Sequence, residues 1–192
     1  MLPTHHVPVE LLYEAAAGVL DPVASLVVQL HLQRCPLCRK EMQTLEELGG
    51  AFLERAPVEA MAMAPSDLTD LVATSPDGSP VAPVRTRLWA GLGLKVYRIN
   101  QPVPGDWRAF DIEAPAGFRA PPHHHRGREL TCVLTGGLSD GEQVFEAGDF
   151  MTSGSDGAHR VSVLPGAPCR IVIAIEGGFT LTRPRQWAQQ LS

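Results

Sequence analysis

A group of metal-ligand residues between positions 31 and 38 restricts the fold more than any other feature. The segment reads His-Leu-Gln-Arg-Cys-Pro-Leu-Cys, so His31, Cys35 and Cys38 have the spacing H-x3-C-x2-C. Structural zinc is usually held by four cysteine and histidine ligands in a tetrahedron. These residues therefore predict three ligands of a zinc site. The alternative is that the two cysteines form a redox pair or simply pack in a core.

The fourth ligand is predicted to be His5 or His6, the other two histidines before the middle of the chain. Neighbouring residues point in different directions, so one of the two is expected to ligate. The residues alone leave the choice open. Two thiolates and two imidazoles would fill the coordination sphere, which indicates a structural or regulatory site and not a hydrolytic one.

Helical spacing surrounds this cluster. Pro8 is placed to begin a first helix, which Gly18 is placed to end. Asp21 and Pro22 supply an N-cap and a first-turn proline for a second helix, and a third is predicted from Pro36. The apolar face of that third helix is expected to hold Cys38, Met42, Leu45, Leu48 and Phe52.

Residues 74–83 read Thr-Ser-Pro-Asp-Gly-Ser-Pro-Val-Ala-Pro, which is the composition of a linker. A weaker helical pattern over 66–72 precedes it. We therefore predict a helical domain over 1–75, a linker over 76–83 and a second domain over 84–192. Short runs rich in Val, Ile, Phe and Thr predict a β-sandwich or small barrel there. The predicted strands are 94–99, 108–113, 129–135, 143–146, 159–164, 169–175 and 178–182.

Composition narrows the class of protein. The chain is 44% hydrophobic and 19% charged, which suits a folded core. It has no apolar run of about 18 residues to span a bilayer, and its start lacks the order of a signal peptide. We expect a cytoplasmic protein without membrane contact. Cys132 and Cys169 stand singly in apolar runs, which predicts buried free thiols.

Charge is unevenly distributed along the chain. Residues 1–75 hold ten acidic and four basic residues, a net charge of −6, whereas residues 76–192 hold eleven acidic and twelve basic residues, a net charge of +1. An acidic surface argues against nucleic acid as the direct partner, and so against a DNA-binding activator. It is compatible with a basic protein partner.

The first 75 residues resemble the zinc-binding domain of bacterial anti-sigma factors, with a histidine near the start, helices and then H-x3-C-x2-C. The resemblance implies that the zinc ligands are His6, His31, Cys35 and Cys38. It also implies that this domain binds an extracytoplasmic-function sigma factor and blocks its access to core RNA polymerase.

A second group of candidate ligands lies in the predicted β domain. His123, His125 and Glu129 have the same parity along a strand and so share a face, whereas His124 has the other parity. His159 is the candidate for a fourth ligand. Imidazoles with one carboxylate suit Zn, Mn, Fe or Ni; the alternative is a solvated histidine-rich turn.

The face opposite these ligands is apolar too, because Leu130, Cys132 and Leu134 alternate with them. Three partners are possible for that face: a second sheet, the helical domain or another subunit.

The histidine segment resembles the first cupin motif, G-x5-H-x-H-x3,4-E-x6-G, with Gly117, His123, His125, Glu129 and Gly136 at its fixed positions. The second cupin motif is matched in spacing by Gly148 and His159, while Gly154, Asp156 and Val163 replace its usual Pro, Gly and Asn. The resemblance implies a double-stranded β-helix, or jelly-roll barrel, that holds a metal.

Together the two parts resemble the ChrR-type anti-sigma factors. The resemblance implies a regulator and not an enzyme, with zinc in the helical domain. In the cupin domain it implies a second divalent metal, with zinc expected first and Mn, Fe or Ni as alternatives, that answers an oxidative or chemical signal. The competing interpretation is a metal-dependent cupin dioxygenase or isomerase with a small zinc-binding appendage.

Overall fold

The structure is a computed structural model that describes residues 2–53, 85–91, 93–100, 105–155 and 157–182. The predicted linker over 76–83 and the predicted short helix over 66–72 lie outside these ranges. Residues 2–53 are called the helical half below, and the described residues from 85 to 182 are called the β half.

Three helices form the helical half: α1 (Val9–Ala16), α2 (Pro22–Leu32) and α3 (Pro36–Leu53). The predicted helix ends are confirmed. Gly18 adopts a left-handed φ of 69° just after α1, and the Asp21 carboxylate caps α2 by accepting a 2.8 Å hydrogen bond from the Val23 amide.

One prediction for α3 is wrong. Met42 and Leu45 are buried with Cys38, but Leu48 is 53% exposed. Leu48 lies ten residues beyond Cys38, which at 3.6 residues per turn turns its side chain about 80° away from the cysteine face.

Three antiparallel sheets form the β half. The largest has the order β1-β2-β3-β10-β5-β8, and the smaller ones pair β11 with β4 and order β7-β6-β9. The predicted strands over 94–99, 129–135 and 143–146 are confirmed at their bounds, whereas β1, β4, β6 and β8 were not predicted. The strands are β1 (Arg85–Gly91), β2 (Leu94–Ile99), β3 (Trp107–Ala114), β4 (His123–His125), β5 (Glu129–Thr135), β6 (Gly137–Asp140), β7 (Gln143–Glu146), β8 (Phe150–Ser153), β9 (Val161–Val163), β10 (Cys169–Glu176) and β11 (Phe179–Leu181).

Strand β5 of the six-stranded sheet is buried on both faces, and this arrangement explains the apolar residues on both of its faces. One face looks into the interior of the β half. The other carries Leu130, Cys132 and Leu134 and packs against α2, in one hydrophobic core that continues through the helical half. Of the three partners considered for this face, the structure selects the helical half.

Candidate metal sites

Four predicted ligands from three separate segments meet in the helical half. His6 comes from the segment before α1, His31 from the last turn of α2, and Cys35 and Cys38 from the start of α3. One potential ligand atom of each lies within 4.8 Å of those of the others. We call these four residues the His/Cys group. Their arrangement is able to hold a metal ion.

Close pairs define the geometry of the His/Cys group. The Cys35 sulfur lies 3.3 Å from His6 Nδ1, and the Cys38 sulfur lies 3.3 Å from His31 Nε2. His31, Cys35 and Cys38 are buried, while His6 is exposed at the edge of the group. Two sulfur atoms and two imidazole nitrogens thus lie close together, and these are the atom types that a tetrahedral zinc site uses.

Burial favours neutral groups here when no metal is bound. It raises the pKa of the Cys38 thiol to about 11 and lowers the pKa of the His31 imidazole. Neutral imidazole is already the form that binds a metal. A buried thiolate needs a positive charge beside it, so the donor set fits a divalent cation.

The two N-terminal histidines point to different partners. His5 Nδ1 lies 3.1 Å from a carboxylate oxygen of Asp149, the residue before β8, and the His5 ring packs against the ring of Phe145. The same carboxylate accepts backbone hydrogen bonds from Thr4 at 2.7 Å, from His5 at 3.0 Å and from Glu146 at 2.8 Å. The structure therefore places His6, and not His5, in the His/Cys group.

His31 joins the His/Cys group to the β half. Its Nδ1 donates a 2.7 Å hydrogen bond to the Gly148 carbonyl, which leaves Nε2 free of a proton and directed at Cys38. Gly148 has a φ of 101°, and a Cβ at this position would lie 2.9 Å from the Pro3 side chain. Only glycine fits such a conformation and contact without strain.

Three histidines converge in the β half. The ligand nitrogens of His123, His125 and His159 lie within 4.8 Å of one another, and Nε2 of His125 is 2.8 Å from Nε2 of His159. We call these residues the three-histidine group. The group contains no cysteine. His124, which has the other parity along the strand, lies outside it as predicted.

Oxygen atoms orient two of these imidazoles. His159 Nδ1 donates a 2.8 Å hydrogen bond to the Asp140 carboxylate, and His123 Nδ1 donates a 2.9 Å hydrogen bond to the Pro121 carbonyl. With Nδ1 engaged in this way, Nε2 is the nitrogen that each of these two rings can offer to a metal. Burial, together with the charges of neighbouring histidines, lowers the pKa of His125 to about 4, so this ring too is in the form that binds a metal.

Glu129 lies beside the three-histidine group but is not one of its converging members. Its carboxyl oxygen is 3.5 Å from His125 Nδ1, on the side of that ring facing away from the His159 contact. Burial raises the pKa of Glu129 to about 7. Among the described residues His125 Nδ1 has no hydrogen-bond partner, so the Glu129 carboxyl group lies beside this ring without a hydrogen bond to it.

Two supporting residues were missed by the sequence analysis. Asp140 accepts a hydrogen bond from His159, and Asp149 accepts one from the backbone of His5, next to His6. Both aspartates occur in turn-like sequence that does not predict these contacts. The Asp-Gly pair at 140–141 signals only a turn. Cys132 and Cys169 are buried free thiols as predicted, and burial raises their pKa values to about 12 and about 11.

Fold and sites together define the class: a helical region with a His/Cys group able to hold a metal ion, packed on a cupin-type β domain. No family model matches the sequence. The anti-sigma-E factor ChrR of Cereibacter sphaeroides is 34% identical over 190 residues, which cover 90% of this chain and 89% of that protein. The chain belongs to the family of the anti-sigma factor ChrR.

One solved structure agrees with this membership. A chain in the crystal structure of Rhodobacter sphaeroides SigE in complex with the anti-sigma ChrR is similar with a TM-score of 0.71 at 31% identity, covering 90% of this chain and 98% of that one. A more distant likeness is an RmlC-like cupin protein from Ralstonia eutropha JMP134, with a TM-score of 0.44 at 20% identity, covering 50% of this chain and 66% of that one. Among the described residues, no helix has the length and apolar character needed to cross a membrane.

Proposed function

We propose that this protein is an anti-sigma factor that binds an extracytoplasmic-function sigma factor and keeps it from core RNA polymerase. The observation that carries the proposal is the 34% identity to an anti-sigma factor along 90% of the chain, through both halves. The meeting of all four His/Cys residues supports it. Since its partner would act on RNA polymerase, we infer that the protein works in the cytoplasm.

We further propose that His6, His31, Cys35 and Cys38 hold zinc. Two thiolates would balance the charge of the ion, and four protein ligands would leave no open position for a reaction. Bound there, zinc would tie the N-terminal segment to α2 and α3. The domain bounds that go with this proposal are 1–75 for the helical domain, 76–83 for the linker and 84–192 for the cupin domain.

The outer side of the helices suits a protein partner. Val9 and Tyr13 lie one turn apart on α1 and are 44% and 57% exposed. Leu37 and Leu48 lie eleven residues apart on α3, about three turns, and are 64% and 53% exposed. Exposed apolar side chains on an acidic segment match a partner that offers apolar pockets within a basic surface.

For the β half we propose a second divalent metal, zinc first, on His123, His125 and His159, with Glu129 beside them or completing the set. Its role would be to answer an oxidative or chemical signal by releasing the sigma factor. The second candidate function is a cupin dioxygenase or isomerase, which the apolar cavity beside the three-histidine group favours.

Co-expression of the full chain with sigma factors of the same genome tests the main proposal. We expect one of them to copurify, and we expect Leu37→Asp with Leu48→Asp to weaken its binding at least about 10-fold, because two apolar anchors would be lost. Val144→Asp is the matched control, since Val144 is 45% exposed on the β half. If no sigma factor binds, the anti-sigma function is excluded.

Variants His123→Ala and Glu129→Ala test the signal response. We expect both to bind the sigma factor as the wild type does but to retain it under oxidative stress that releases it from the wild type. Release that persists after the metal has left the β half would contradict a sensing role. Turnover of a substrate that these variants abolish would instead support the enzyme.

A further inference from the structure

A cavity of about 270 Å³ lies inside the β half, next to the three-histidine group. Leu94 and Ile112 of the six-stranded sheet form one wall, Val163 of β9 another, and Phe179 of β11 part of a third. An apolar cavity of about 150 Å³ is enough to hold benzene. The space here therefore suits a molecule of about ten carbon atoms.

The wall of the cavity is almost entirely hydrocarbon. Of the twenty described residues that line it, seventeen are apolar and three are polar: His123, Glu129 and Thr131. The polar residues lie together, since Thr131 donates a 3.3 Å hydrogen bond to Glu129 and Glu129 adjoins His125. The cavity thus has a long apolar part and one polar end, which meets the three-histidine group.

Small residues keep this space open. The interior of a small β barrel is normally filled by its own side chains, but here Ala114, Ala120 and Cys169 form part of the wall. Each occupies a position at which a larger apolar residue would reduce the volume. The cavity is therefore a consequence of residue choice at the wall and not of the barrel geometry alone.

The lining excludes most polar ligands. A sugar or nucleotide would leave its hydroxyl or phosphate groups unpaired against hydrocarbon, at a large cost in desolvation. No lysine or arginine is among the described residues that line the cavity, so an anion would find no side-chain cation there. A neutral hydrocarbon body with at most one small polar group loses little on entry.

We propose that this cavity binds a neutral, largely hydrocarbon molecule of about ten carbon atoms, with its polar end beside His123 and Glu129. Binding follows from the cavity alone. Its consequence for the sigma factor rests on the proposed anti-sigma function, for which the ligand would be the chemical signal or its carrier.

Titration of the full-length protein with 2-naphthol, followed by the fluorescence of the probe, tests the proposal. We expect one molecule to bind per chain with a Kd of about 100 µM or tighter, a range that eleven non-hydrogen atoms can reach. The matched probe is 2-naphthalenesulfonate, which has the same rings and a charged group. We expect it to bind at least about 10-fold more weakly.

Cavity-filling variants provide the structural control. Val96→Phe places a ring in the cavity and should weaken 2-naphthol binding at least about 10-fold, whereas Val144→Phe, on the exposed face of β7, should leave it unchanged. Ala120→Leu serves as a second filling variant if Val96→Phe does not fold. Absence of 2-naphthol binding, tighter binding of the sulfonate, or unchanged binding in the folded filling variants would overturn the proposal.

The sigma-factor pull-down is run on the same protein, so the two proposals fail separately. Binding of 2-naphthol without any sigma factor would leave the cavity proposal intact and exclude the anti-sigma function. Binding of a sigma factor without binding of 2-naphthol would support the anti-sigma function and overturn the cavity proposal.

Discussion

The two ligand groups differ in where their supporting hydrogen bonds come from. In the His/Cys group, His31 donates to the Gly148 carbonyl, and the segment that carries His6 is held by Asp149. Both supports belong to the β half. In the three-histidine group, the supports are the Asp140 carboxylate and the Pro121 carbonyl, which belong to the same half as the ligands.

The His/Cys group is therefore held in place by residues of both halves, whereas the hydrogen bonds that orient the three-histidine group come from the β half alone. The geometry of the His/Cys group depends on how the helices sit against the β half, whereas the hydrogen bonds that orient His123 and His159 come from the β half itself. A change in the β half that moves Gly148 and Asp149 therefore has a direct path to two ligands of the helical half.

The groups also differ in access. The His/Cys group has four donors and is closed by its own ligands. The three-histidine group has three convergent donors and adjoins a cavity of about 270 Å³. Closure suits a structural ion and an open position suits a ligand-responsive one, which fits the proposal that the first group holds an ion and the second responds to a signal.

The largest expected effect is loss of the closed group. Cys35→Ser with Cys38→Ser should remove one zinc equivalent per chain and weaken sigma binding at least about 100-fold, because structural zinc contributes about 10 kcal/mol or more to the folding of small domains. Metal analysis and calorimetric titration measure the two effects. Cys132→Ala is the control, since that thiol belongs to neither group; unchanged zinc in the double variant would refute the ligand assignment.

An intermediate effect comes from exchanging the supporting carboxylates. Asp149→Asn should lower the metal affinity of the His/Cys group about 10-fold, and Asp140→Asn should lower that of the three-histidine group by a similar factor, in the range for residues that orient metal ligands. Chelator competition measures both. Each variant is the control for the other. If Asp149→Asn weakened metal binding at the three-histidine group, or Asp140→Asn weakened it at the His/Cys group, the assignment of these carboxylates to separate groups would be wrong.

The smallest effect is expected at a buried ion pair remote from both groups. Asp111 is 3% exposed and accepts hydrogen bonds of 2.9 and 2.7 Å from the guanidinium of Arg170. Burial alone would raise the pKa of Asp111, but Arg170 and the nearby Arg85 outweigh it and hold the pKa below its ordinary 3.8. Asp111→Asn should lower the free energy of unfolding by about 2 kcal/mol at pH 7, less than for a fully buried pair because the arginines are partly exposed.

The sign of the pH dependence follows from that lowered pKa. The carboxylate stabilises the fold fully at pH values well above 3.8 and loses this contribution as the pH falls through its lower folded pKa. The difference between wild type and variant should therefore shrink below pH 3.8. Urea unfolding at several pH values, with metals removed, measures it; a difference that is constant with pH would contradict the assignment to Asp111. In Asp111→Asn, the metal affinities of the His/Cys group and of the three-histidine group at pH 7 should equal those of the wild type.

Local signals in the sequence located the helices and several strands. Asp21 and Pro22 mark the start of α2. The Asp21 carboxylate accepts a hydrogen bond from the amide of Val23, only two residues along the chain, so the sequence itself predicts this contact. The strand over 94–99 is likewise marked locally, by a short run that contains Leu94, Val96 and Ile99. Strand β6 begins at Gly137 and ends in an Asp-Gly turn, and β8 offers only Phe150 and Met151 as apolar residues. Neither has enough alternation to predict a strand.

The sequence by itself determined the chemistry of both groups, because H-x3-C-x2-C and H-x-H place their donors within two turns or one strand. The tertiary structure placed His6, and not His5, with the thiols, placed Glu129 beside the three-histidine group, and supplied Gly148 and Asp149 as supports. The placements in the helical half depend on contacts between residues that lie 117 and 144 positions apart in the sequence. Local propensity carries no information about such contacts, since they form only when two separately patterned regions pack on one core.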